Sequence, residues 1–126
     1  MKTILVVDDD PFQRELVDAT LKCLGYQFLH ATNGIDALEK LNAATGSDIS
    51  MVITDRDMPG KNGIGLAMEI RARISEKLPI LMITGHVGDE TEKEALLAGI
   101  NNVISKPFRL GDLREAVREL LESGAP

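Results

Sequence analysis

The chain has 126 residues, 14 basic against 20 acidic for a net charge of −6, a hydrophobic content of 44% and an aromatic content of 3%. That length can bury a real core, while the missing basic face and scarce stacking rings argue against direct nucleic-acid binding. No apolar run nears the roughly 20 residues that cross a membrane, Asp8 interrupts the first run too early for a signal peptide, and the single cysteine, Cys23, excludes a disulfide framework or a Cys-based zinc site. The default reading is one cytoplasmic domain spanning residues 1–126.

The first short apolar run, residues 4–7, reads as a strand. Asp8, Asp9 and Asp10 follow, three like charges that repel by roughly 4 kcal/mol per pair at about 4 Å and an effective dielectric near 20. Asp10-Pro11-Phe12-Gln13 places a capping residue, a proline at the first helical position and a glutamine at the third, so Asp10 is expected to cap a helix. Phe12, Leu16, Ala19 and Cys23 share one face of that helix, widened by Val17, Leu21 and Leu24, and Cys23 is therefore read as core packing. Gly25 ends the helix.

Residues 28–31 form the second strand, and the polar Gln27 and His30 suit an edge position, with His30 structural. Asn33 caps a second helix with the stripe Ile35, Leu38 and Leu41. Residues 51–54 form the third strand, and Ile64, Ala67, Ile70 and Ile74 mark the third helix. A fourth strand at residues 80–84 precedes a more polar helix over residues 89–98. A fifth at residues 103–105 precedes a helix striped by Leu110, Leu113, Val117, Leu120 and Leu121. On that last helix Arg114 and Arg118, among Glu115, Glu119 and Glu122, read as a solvated ion-pair face.

Strands alternating with helices predict an α/β fold with a parallel sheet, and right-handed crossovers make a doubly wound open sheet the simplest topology. Ligands bind beyond the carboxyl ends of such strands. There the chain places Asp8 and Asp9, Asp55, Thr84 and Lys106, on one rim. Carboxylates in excess favour a hard cation, Mg²⁺ before others. The ammonium and hydroxyl would neutralise a phosphoryl group, and an aspartate such as Asp55 can itself become an acyl phosphate.

The stretches ILVVDDD at 4–10, VITDRDMPGKNG at 52–63, ILMITGH at 80–86 and VISKPF at 103–108 resemble, in order and spacing, the receiver domain of two-component response regulators. The resemblance covers essentially the whole chain. It implies a flavodoxin-like (βα)5 fold with strand order 2-1-3-4-5. It implies Asp55 as phosphoacceptor and Thr84 and Lys106 as its hydroxyl and ammonium partners. The implied metal is Mg²⁺ or Mn²⁺, held by Asp8, Asp9, Asp55 and the backbone carbonyl of Asp57. A cis Lys106–Pro107 bond is also implied. The implied donor is a histidine kinase or histidine phosphotransfer protein. The implied output is a downstream protein target met by the face of the fourth helix, fifth strand and fifth helix, in a stand-alone regulator or a receiver excised from a larger protein.

Three positions bear on how such a domain would be tuned. Asp57 and His86 stand two residues after Asp55 and Thr84, places that flank the path of hydrolytic water in related receivers. Val103 stands where the family often has Tyr or Phe, so the ring that swings inward on phosphorylation is missing. Two other classes compete. VITDRDMPG is superficially similar to the DxD loop of haloacid-dehalogenase-type phosphatases, but Pro59 and an early acid pair depart from that pattern, and 126 residues leave little room for a substrate cap. A receiver-like module that never handles phosphate is the third, and the intact acid set argues against it.

Overall fold

The computed structural model describes residues 2–43, 48–85 and 88–122. The elements alternate as β1 (Thr3–Val7), α1 (Pro11–Leu21), β2 (Gln27–Ala31), α2 (Gly34–Asn42), β3 (Ile49–Asp55), α3 (Gly63–Glu69), β4 (Ile80–Thr84), α4 (Asp89–Ala98), β5 (Asn102–Ser105) and α5 (Leu110–Glu122). All strand pairs are parallel and the order is β2-β1-β3-β4-β5, as the sequence led us to expect. His86, expected to tune the site, lies outside the described residues.

The period-2 alternation of strand side chains divides the core into two layers. Leu5, Val7, Val52 and Met82 face α2, α3 with the turn that follows it, and α4 through Ala37, Leu41, Leu66, Ala67, Ile70, Ala95 and Ala98. Ile4, Val6, Met51, Ile53, Leu81 and Ile83 face α1 and α5 through Val17, Leu21, Leu113, Ala116 and Val117. The three inner strands are covered on both sides, which is why they read as continuous apolar runs. β2 and β5 lie at the edges and are partly exposed.

α1 docks by a different face than its leucine and phenylalanine spacing suggests. Phe12 is 78% exposed and Leu16 is also exposed, while Val17, Thr20 and Leu21 are buried. Cys23, expected in the core, is exposed in a 3-10 turn at Lys22–Leu24 that Gly25 ends at φ 83°. Two overlapping stripes run along this helix, and polar anchors from outside it favour one. Asp18 Oδ2 pairs with His30 Nε2 of β2 at 2.7 Å. Arg114 Nε of α5 donates to the Thr20 carbonyl at 2.8 Å, so Arg114 ties two helices together rather than joining a solvated glutamate face. Thr20 is buried because its hydroxyl donates to Leu16 O at 2.7 Å, leaving no unmet polar group.

α3 runs on into a π-helical turn, Ile70–Ile74. That turn presents Arg71, which donates to Gly99 O at 2.9 Å, Ser75 O at 3.0 Å and Asn101 Oδ1 at 3.0 Å. The same Asn101 oxygen accepts from Ile80 N at 2.8 Å, so one arginine fixes the entry to β4 and the α4–β5 turn together.

Candidate functional site

β1, β3, β4 and β5 all deliver polar residues to one rim. The register sets Val7 beside Thr54, Asp55 beside Ile83 and Thr84 beside Ser105. Asp8 and Asp9 leave β1, Asp55 is the last residue of β3, Thr84 is the last of β4, and Lys106 follows β5. The Lys106–Pro107 bond is cis. Carboxylate oxygens of Asp8, Asp9 and Asp55 lie within 4.8 Å of one another.

The acid triplet divides its work. Asp10 accepts from Phe12 N at 2.9 Å and caps α1, as expected. The reciprocal bond of a capping box comes from Asp8, not Gln13: Asp8 Oδ1 accepts from Asp10 N at 2.9 Å. Arg14, one turn into the helix, donates to the Asp8 carbonyl. Asp8 N in turn donates to Ala31 O at 3.1 Å. Asp8 is thus fixed on both sides and 7% exposed, whereas Asp9 is exposed.

Asp55 is 8% exposed. Its Oδ1 accepts from Lys106 Nζ at 2.9 Å and from Arg56 N at 3.0 Å. Lys106 Nζ also lies 3.8 Å from Asp8 Oδ2. Thr84 is fully buried, and its carbonyl accepts from Lys106 N at 2.8 Å, which holds the lysine backbone against the strand end. Asp57 has a largely exposed side chain, and Arg56 Nη1 donates to its Oδ1 at 3.3 Å. Val103, with no ring, is half-buried in β5.

Gly63, the first residue of α3, packs against the phosphoacceptor candidate from the other side. Its N–H donates to Arg56 O at 2.9 Å. A Cβ there would lie against the Asp55 carbonyl oxygen and 3.1 Å from Arg56 Cα. Only glycine lets α3 begin this close to the end of β3.

Burial pushes the Asp8 carboxyl up to about 6, and the charges of Asp55 and Asp9 push the same way against the Asp10 N–H and Lys106. One ammonium against three carboxylates leaves the rim net negative. A buried acid held reluctantly ionised beside two others is the donor set that suits a hard divalent cation, so the residues present fit Mg²⁺ or Mn²⁺.

The residues expected from the sequence to meet do meet: Asp8, Asp9, Asp55 and Lys106 are one cluster, with Thr84 at the adjoining strand end. The sequence reading passed over Arg56 and Arg14. Arg56 was visible as a lone cation between two carboxylates in TDRDMPG, but its second partner, Glu94 at 2.8 Å, is 38 residues away.

The family model described as response regulator receiver domain matches residues 4–118. The chain is 42% identical over 121 residues to the chemotaxis protein CheY1 of Helicobacter pylori, covering 94% of this chain and 95% of that one. It is also 35% identical over 114 residues to the sensor histidine kinase RcsC of Salmonella typhi, where the match covers 90% of this chain but 12% of that protein. Among solved structures, the Vibrio cholerae chemotaxis protein CheY4 superposes with a TM-score of 0.87 at 29% identity, over 96% of this chain and 99% of that chain.

Proposed function

The chain belongs to the response regulator receiver domain family, and from that premise we propose that it relays a signal by carrying a phosphoryl group on Asp55. The single observation that supports this is the placement of Lys106 Nζ at 2.9 Å from Asp55 Oδ1, inside a group of three carboxylates. An Asp55 oxygen attacks the phosphorus of a phosphohistidine on a histidine kinase or a histidine phosphotransfer protein. The N–P bond breaks, its electron pair stays on the imidazole nitrogen, and the acyl phosphate forms. Lys106 holds positive charge at the oxygen it already binds. The Thr84 hydroxyl donates to a phosphoryl oxygen, and near-complete burial of Asp55 limits the approach of water. Asp8, Asp9 and Asp55, with the Asp57 carbonyl, would hold Mg²⁺ or Mn²⁺, which when bound supplies neutralisation of phosphoryl charge.

The same reading takes residues 1–126 as a single receiver domain working in the cytoplasm. Among the described residues no helix is long and apolar enough to cross a membrane. Output goes to a downstream protein through the face of α4, β5 and α5, where Leu96 and Leu97 are exposed. Asp57, His86 and Val103 set how long the phosphoryl group stays and how its presence is felt.

Incubation with acetyl phosphate and Mg²⁺, followed by intact mass, tests the reading. One phosphoryl adduct per chain, slowly lost and absent in Asp55→Asn, is the expected result. Multiple turnover of phosphomonoesters, or an adduct that survives Asp55→Asn, would overturn it.

A further inference from the structure

Arg56 neither holds a ligand nor receives a group in the reading above, yet both its backbone and its side chain tie the rim to the elements around it. Its N–H donates to Asp55 Oδ1 at 3.0 Å and to Ile83 O of β4 at 3.2 Å. Its carbonyl accepts from Gly63 N at the start of α3. Its guanidinium donates through Nη1 to Asp57 at 3.3 Å and through Nη2 to Glu94 of α4 at 2.8 Å. The backbone of one residue thus touches the acceptor carboxylate while its side chain holds a helix.

The helix it holds is shallowly seated. Within α4 only Ala95 and Ala98 are buried, both small, and Leu97 is 88% exposed. The N-cap, Gly88, makes no side-chain capping bond. Beside it, Val103 of β5 offers neither a ring nor a polar atom to report on the site. The Arg56–Glu94 pair is partly exposed on both sides, so its contribution to stability is small. Its distinctive property is reach and direction, because the planar guanidinium fixes two carboxylates at set angles.

We propose that Arg56 is a positioning residue that couples the placement of α4 to the carboxylate of Asp55, with Glu94 as the far end of the link. The inference rests on the reading of Asp55 as phosphoacceptor. Moving α4 pulls on Glu94 and through the guanidinium on the Arg56 N–H that Asp55 Oδ1 accepts. By reciprocity, a phosphoryl group on Asp55 shifts that N–H and so the seat of α4.

The test is the change in α4 backbone amide shifts, residues Asp89–Ala98, when ¹⁵N-labelled protein is phosphorylated with acetyl phosphate and Mg²⁺. Glu94→Gln leaves Arg56 and the rim intact and removes only the far end. Arg56→Gln removes the link itself. Both are expected to form the adduct but to lose about threefold of the α4 response, the range of a partly exposed ion pair. Glu90→Gln, which takes the same charge from the same helix, is expected to keep the full response. A full response in Glu94→Gln, or an equal loss in Glu90→Gln, overturns the link while leaving Asp55 as acceptor. A wild-type chain that forms no adduct overturns the reading of Asp55 first and the link with it.

Discussion

Replacing Asp8 by Asn should stabilise the metal-free protein at neutral pH. Asp8 is 7% exposed, and its carboxyl titrates at about 6 rather than at its ordinary 3.8. Between those values the folded chain keeps a proton that the unfolded chain has released, so stability is fully present below the lower value and falls as pH rises through the upper one. A separation of about two units corresponds to about 3 kcal/mol lost by the time Asp8 is ionised. Asparagine removes the charge but keeps an Oδ1 to accept from Asp10 N, the bond that braces the start of α1. Urea denaturation in EDTA across pH should therefore show Asp8→Asn and the parent equal near pH 3.5 and the variant more stable by about 3 kcal/mol at pH 7.5. Adding Mg²⁺ at pH 7.5 should raise the parent more than the variant, because the ion stabilises the state that binds it. Parallel pH profiles in EDTA, with no gain for the variant at pH 7.5, would refute the argument that ionised Asp8 strains the empty fold.

Two further substitutions test how the rim is built. Gly63→Ala should cost about 1–3 kcal/mol in thermal or urea unfolding and slow adduct formation on Asp55, since the added methyl meets backbone on two sides; an unchanged midpoint would show that α3 can shift without cost. Arg71→Met should cost about 2 kcal/mol, because it strips donors from Gly99 O, Ser75 O and Asn101 Oδ1 at once, and hydrogen exchange should quicken first around residues 99–101; uniform quickening would contradict a local brace.

The residues legible in advance share one property: burial on both sides or a place at a strand end. ILVV, MVIT and ILMIT read as inner strands because helices cover both their faces; Asp9, Asp55 and Thr84 followed from where those runs stop, and Lys106 from the end of the edge run at 103–105. β3 begins earlier than its apolar run, at Ile49, because parallel pairing with Thr3 of β1 extends it. The expected stripe of α1 was too wide: Val17 and Leu21 are buried as it required, but Phe12, Leu16 and Cys23 are exposed, and the choice between the two edges of the stripe rests on His30 and Arg114, remote in sequence. Gln13 looked like the partner in a capping box, but Asp8 already satisfies the Asp10 N–H. Arg71 and Arg56 were hidden for the same reason: the acceptors that define their work, Asn101 and Glu94, come from elements 30 and 38 residues further along.

Asp8 serves the beginning of a helix and the acidic rim with one carboxylate. Anyone transplanting this acidic trio into another parallel sheet would have to bring residues 8–14 along as a unit, since three aspartates grafted alone would lack the scaffold that keeps the innermost one aimed. Libraries that randomise position 14, or place proline at position 10, should consequently yield clones in which the Asp8 carboxylate is loosened, because each removes a donor that fixes Asp8.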